Sequence, residues 1–130
     1  MAHPQLFDDD DPFLQRVREM ALAFPGAAEK ISHGRPAFFT TKVFVYFGGD
    51  IRVDGAYVEH AHSLLVHPDE AEVLALAADP RCYRPASLGP SGWIGLDLNE
   101  NTDWAEVREL IEASYRDTAR ARLIAVLDAG

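Results

Sequence analysis

Ile31-Ser-His-Gly-Arg-Pro-Ala-Phe-Phe-Thr-Thr-Lys-Val-Phe-Val-Tyr-Phe47 is the stretch that decides the fold. Gly34-Arg35-Pro36 makes a stiff corner, and two short aromatic and β-branched runs, Ala37–Phe39 and Lys42–Phe47, flank a bend at Thr40-Thr41. That is the composition of a hairpin. On the second run Val43, Val45 and Phe47 face one way and Lys42, Phe44 and Tyr46 the other. Both faces are therefore largely apolar, and the strand is expected inside a sheet and not at its edge.

Working outward toward the N-terminus, Ala27–Lys30 reads as a short turn. Before it, Phe13, Val17, Met20, Ala21 and Phe24 recur at helical spacing, which predicts an amphipathic helix over Pro12–Ala23 ended by Pro25-Gly26. Asp11 is its N-cap, with Pro12 at the first helical position. Residues 1–10 read as a flexible acidic arm. The Asp8–Asp11 run lacks the alternating ligands and glycine of a calcium loop.

Toward the C-terminus, Gly48-Gly49-Asp50 is expected to turn the chain, Ile51–Val53 to form a short strand, and Asp54-Gly55 to form a two-residue turn. Ala56–Ala61 is ambiguous, and the strand signal returns in His62–His67. Asp69–Ala78 follows as a helix with Val73, Leu74, Leu76 and Ala77 inward, stopped by Asp79-Pro80. Cys82–Arg84 reads as a brief strand, Pro85–Gly92 as a loop, and Trp93–Leu98 as a second alternating strand. Asp103 with Glu106 three residues later resembles a capping box for a helix carrying Trp104, Val107, Ile111 and Tyr115. Thr118–Leu127 continues that helix or forms another. Segregated strands and helices of this kind predict an α+β antiparallel sheet flanked by helices, in one domain over residues 1–130.

Twelve Lys and Arg against twenty-one Asp and Glu give a net charge of −9 and a pI near 4.8. A field of that sign repels phosphate backbones, so nucleic-acid binding requires a local basic patch. One cysteine, Cys82, permits no internal disulfide. The acidic N-terminus and the lack of a long apolar run point to a cytoplasmic chain that neither enters nor spans a membrane.

No motif carries a mechanism alone. His60-Ala61-His62 would project two imidazoles to one side of an extended strand, but a third ligand is missing, and no metal or cofactor is expected. Ser32 and His33 are neighbours that point apart when extended, which is poor geometry for a nucleophile and its base. Cys82 beside Arg81 and Arg84 is reactive only if exposed. Gly89–Gly92 precedes a strand and so lacks the helix N-terminus of a phosphate loop. The basic residues Arg108, Arg116, Arg120 and Arg122 are diluted by Glu112, Asp117 and Asp128. Arg35, Tyr83, Arg84 and Trp93 are the candidate ligand-binding residues, because guanidinium beside aromatic rings stacks on a base or clamps an anion. No residue is assigned a catalytic role, and a non-enzymatic binding module is the expectation.

Ser32-His33-Gly34-Arg35-Pro36-Ala37-Phe38, Lys42-Val43-Phe44, Leu76–Pro80, Tyr83-Arg84-Pro85-Ala86, Leu88–Gly95, Asp103–Val107 and Ser114-Tyr115-Arg116 occur in an order that resembles the MmcQ/YjbR family. The resemblance implies a small α+β protein with a CyaY-like antiparallel sheet. It also implies a DNA-binding name, although it transfers no catalytic residue. His33 stands where many relatives have Trp, and Leu88–Gly92 lacks the Lys found there in better-known members. Both departures remove stacking or charge from the binding face, and with the charge of −9 they disfavour duplex DNA. Small-molecule or anion binding and protein interaction are the alternative readings, with a monomer favoured.

Overall fold

The hairpin expected at residues 37–47 is present and far longer than its signal. In the computed structural model, which describes residues 5–130, β1 (Ala28–Ser32), β2 (Arg35–Phe39), β3 (Val43–Val53) and β4 (Ala56–Val66) run antiparallel in succession. β5 (Cys82–Tyr83) and β6 (Ile94–Asp97) complete one six-stranded sheet in the order β1-β2-β3-β4-β6-β5, so β3 is interior as its two apolar faces require. Helices α1 (Pro12–Leu22), α2 (Glu70–Ala77), α3 (Trp104–Thr118) and α4 (Ala121–Ala129) flank it, which makes the fold α+β. Residues 1–4 of the expected N-terminal arm lie outside the described residues.

Local chemistry sets the element ends. The Asp11 carboxylate accepts from Phe13 N–H, Asp69 from Glu72 N–H, and Asp103 from Ala105 and Glu106 N–H. Each satisfies amides that a helix start leaves without partners. The β1–β2 and β3–β4 turns are His33-Gly34 and Asp54-Gly55, and all four residues have positive φ. Two-residue turns of that handedness match the twist of paired strands.

Three expectations fail. Ala27–Lys30 is mostly strand β1, because it pairs with β2. Gly48-Gly49-Asp50 does not turn the chain; it stays in β3. The glycines mark an irregularity: Phe47 pairs Leu64 while Gly49 pairs His60, so Gly48 alone spans the interval that Ala61, His62 and Ser63 fill on β4. Leu74 of α2 is 62% exposed and Ala77 is also exposed, leaving Val73 as the buried contact of that helix.

The helices share one face of the sheet. Leu14, Val17 and Ala21 of α1 and Val107, Leu110, Ile111 and Tyr115 of α3 pack with Phe38, Val45, Phe47, Leu64, Val66, Ile94 and Leu96. Phe44 joins them, although alternation assigns it to the other side, because the register slips between Phe38 and Phe39. Its ring lies edge-on to Tyr115 at 5.3 Å. Burying a side chain of this size contributes about 2 to 3 kcal/mol. Ala119 adopts an extended backbone that breaks the last helical stretch in two, and α4 returns with its Asp128 held by Arg116 at 2.7 Å.

Alternation sends Ala37, Tyr46, Leu65, Trp93 and Gly95 to the opposite face. Among the described residues no helix covers them. The loop after β5, which holds a short 3-10 turn at Gly89–Ser91, lies there instead, with Pro85 and Gly89 buried.

Candidate functional site

Between that loop and the helix-free face lies a cavity of 310 Å³. Tyr46 and Leu65 rise from the sheet, Pro85 and Leu88 descend from the loop, and Arg35 and Asp50 supply charge. Leu6 stands at the rim because its N–H donates to the Gly34 carbonyl at 2.9 Å. The loop is pinned by the Ala86 N–H donating to the Asp50 carbonyl at 2.9 Å. It is pinned again by His67, whose Nε2 lies 2.8 Å from the Ser91 carbonyl while Nδ1 meets Asp117 at 2.7 Å.

Arg35 is 8% exposed at the start of β2. Its Nη2 pairs with Glu59 and lies 3.8 Å from Asp50, while its Nη1 is buried with no hydrogen-bond partner among the described residues. Gly48 has φ +82, which favours glycine, and a Cβ there would come within 2.7 Å of Nη1 and push the guanidinium aside. Two carboxylates around one guanidinium leave the cluster net negative.

Tyr83 and Trp93 lie under the cavity and not in it. Trp93 is buried edge-on against Tyr46 at 5.1 Å and His67 at 5.4 Å. The Tyr83 ring lies on Gly95, its hydroxyl hydrogen-bonds Ser63 Oγ at 2.6 Å, and burial pushes its ionisation well up from the ordinary phenol value. Arg84 is exposed and lines other grooves. Of the four candidates, then, one lines the cavity, two pack against residues that line it, and one is elsewhere.

The histidines separate for the reason the register shows. His60 stacks on Tyr83 with centroids 4.0 Å apart and meets Asp97 at 2.7 Å, on the helix-free side. His62 turns to α1, where it meets Asp11 at 2.9 Å and the edge of Phe13. The irregularity at Ala61–Ser63 breaks the alternation that would have aligned them. Among the described residues no three His, Cys, Asp or Glu side chains gather to hold a metal ion. Ser32 and His33 do meet, Oγ to Nδ1 at 3.2 Å, because His33 sits at positive φ and not in extended backbone.

Cys82 is half-buried, and burial, with Asp79 adding to it, pushes its thiol up to about 11 despite Arg81. Alkylation by iodoacetamide at pH 8 is expected to be about tenfold or more slower than that of a free thiol, rising with pH until about 11. A rate at pH 8 equal to that of free cysteine refutes this.

Tyr46, Asp50, Glu59, Leu65 and Leu88 were not singled out by sequence reasoning. The one available signal was Gly48-Gly49 after an apolar run, since glycine inside a strand marks close approach of another group.

Fold and site define an open-sheet α+β protein with helices on one face and a loop-covered cavity on the other. The family profile for YjbR matches residues 22–117, and the chain belongs to that family. The match includes every residue lining the cavity except Leu6. A search of curated proteins finds no match. No helix among the described residues is long and apolar enough to cross a membrane.

Proposed function

We propose that the chain is a non-enzymatic binding module for a small molecule, with the cavity over Tyr46 and Leu65 as its site. The observation that carries this reading is the 310 Å³ cavity itself, in which the largely apolar walls of Tyr46, Leu65, Pro85 and Leu88 converge on the charged Arg35 and Asp50. Concave, mainly apolar sites with a few converging polar groups are the usual form of a small-molecule site.

Charge narrows the ligand. Glu59 and Asp50 already outnumber Arg35, so a second anion meets net repulsion. A compact, flat, neutral or weakly basic molecule fits better, with a carbonyl for the guanidinium and N–H groups for Asp50. Nucleic acid is the weaker reading, since Arg18, Arg35, Arg81, Arg108 and Arg116 are already held by carboxylates.

A thermal-shift panel of heterocycles, small amides, amines and acids tests this. A ligand at about 100 times its Kd adds about 2.7 kcal/mol, a shift of several degrees. The shift should vanish in Leu88→Trp, which fills the cavity from the loop, and fall in Arg35→Gln. Hits that survive Leu88→Trp, or a panel without hits, count against the cavity.

A further inference from the structure

Five of the ten arginines, Arg18, Arg35, Arg81, Arg108 and Arg116, are ion-paired where they stand; Arg52 and Arg84 are among the five that are not. Among the described residues neither meets a carboxylate within ion-pair distance; Arg52 lies over the Tyr57 ring, 5.3 Å from its centroid. Both line one open groove of 450 Å³ on the outside of the cavity loop, and no acidic residue shares its lining.

The two arginines are held in register by the backbone. Arg52 pairs directly with Tyr57 across the β3–β4 hairpin, which restricts its side chain to the ring face. Arg84 precedes the segment that the Ala86–Asp50 hydrogen bond fastens to β3. Asp50, two residues from Arg52, lines the cavity on the other side near Arg35. Ile51, Pro85 and Pro90 leave the rest of the groove apolar.

We propose that this groove is a phosphate site, in which Arg52 and Arg84 clamp one phosphoryl group and Ile51 and Pro90 contact the body that carries it. A planar guanidinium donates two parallel hydrogen bonds to phosphate oxygens, and two such residues lining one groove suit a dianion. The phosphoryl group can belong to a small ester or to a nucleic-acid strand; the chemistry of the clamp is the same. This site is separate from the cavity, whose own charge balance repels anions.

The test is a titration of the full isotope-labelled chain with inorganic pyrophosphate at constant ionic strength, followed by amide chemical shifts. Saturable shifts are expected at Ile51, Arg52, Ala86 and Gly89, with affinity about tenfold weaker in Arg52→Gln and in Arg84→Gln. Arg120→Gln should bind as the unaltered chain does. Both Arg84 and Arg52 are exposed, so the variants should keep the parent spectrum. Shifts that do not saturate, or affinity indifferent to both substitutions, overturn the proposal. Loss of pyrophosphate binding in Leu88→Trp, with no effect of the arginine variants, would move the anion to the cavity and also overturn it. A second arm compares a nucleoside monophosphate with a thymidine oligomer. Arginine-dependent saturation by the monophosphate alone assigns a small ester, and by the oligomer alone a strand backbone; saturation by neither rejects the clamp.

Discussion

Gly95→Ala is expected to lower the unfolding free energy by about 3 kcal/mol, near the upper end of overpacking in a filled interior. Gly95 lies in β6 between Leu65 and Tyr83. A Cβ there would stand 2.5 Å from Tyr83 Cε1 and 2.9 Å from Cε2, where no carbon fits. The ring's hydroxyl already fills the space that a side chain on Gly49 would take, so a slide toward β3 drives it onto that strand's backbone. It must therefore leave, abandoning the Ser63 hydrogen bond and the His60 stack. Alanine recovers only about 0.5 to 1 kcal/mol of chain entropy relative to glycine. Urea denaturation measures the loss, and a double-mutant cycle identifies its cause. In a Tyr83→Ala background the same substitution should cost much less, because nothing remains over Gly95. Equal costs in both backgrounds would mean that the Tyr83 contact is not the source.

Ser114→Ala is the second large effect, about 3 kcal/mol, since each buried main-chain group left without a partner costs about 1 to 3 kcal/mol. The Ser114 side chain is wholly buried on α3. Its hydroxyl donates to the Phe44 carbonyl at 2.6 Å and accepts from His67 N–H at 2.7 Å. One oxygen thus ties α3 to β3 and to the end of β4. Removing it leaves the buried Phe44 carbonyl and the part-buried His67 N–H without this partner. The denaturant slope should stay constant while the midpoint falls, and the His67 amide should exchange faster than its neighbours. An unchanged midpoint would show that the backbone relaxes enough to satisfy both groups. His67 also fastens the cavity loop through Ser91, so a loosened His67 amide is expected to weaken ligand binding in the cavity as well.

Much of the fold was legible because its signals are local. The caps at Asp11 and Asp103 rest on a carboxylate reaching amides within its own helix turn, and Asp54-Gly55 rests on backbone preference. The hairpin around residues 37–47 needed only pattern. Arg35 could be singled out from its Gly-Arg-Pro corner, but its carboxylate partners are 24 and 15 residues away and could not. Gly48-Gly49 shows the limit clearly. As sequence it reads as a turn; in the sheet it is the place where an arginine and a tyrosine close in on β3.

By itself the sequence determined the α+β class, the placing of the helices around a run of strands, the interior place of β3 and the family. Each follows from short-range periodicity, capping, or an ordered set of motifs. Only the tertiary structure decided which side chains meet. A register slip sends His60 and His62 to opposite faces, another draws Phe44 into the helical core, and the pinned loop separates Arg84 from Arg35. The physical reason is that register is a property of paired strands, set by packing across the sheet, and one displaced residue reverses the face of those beyond it.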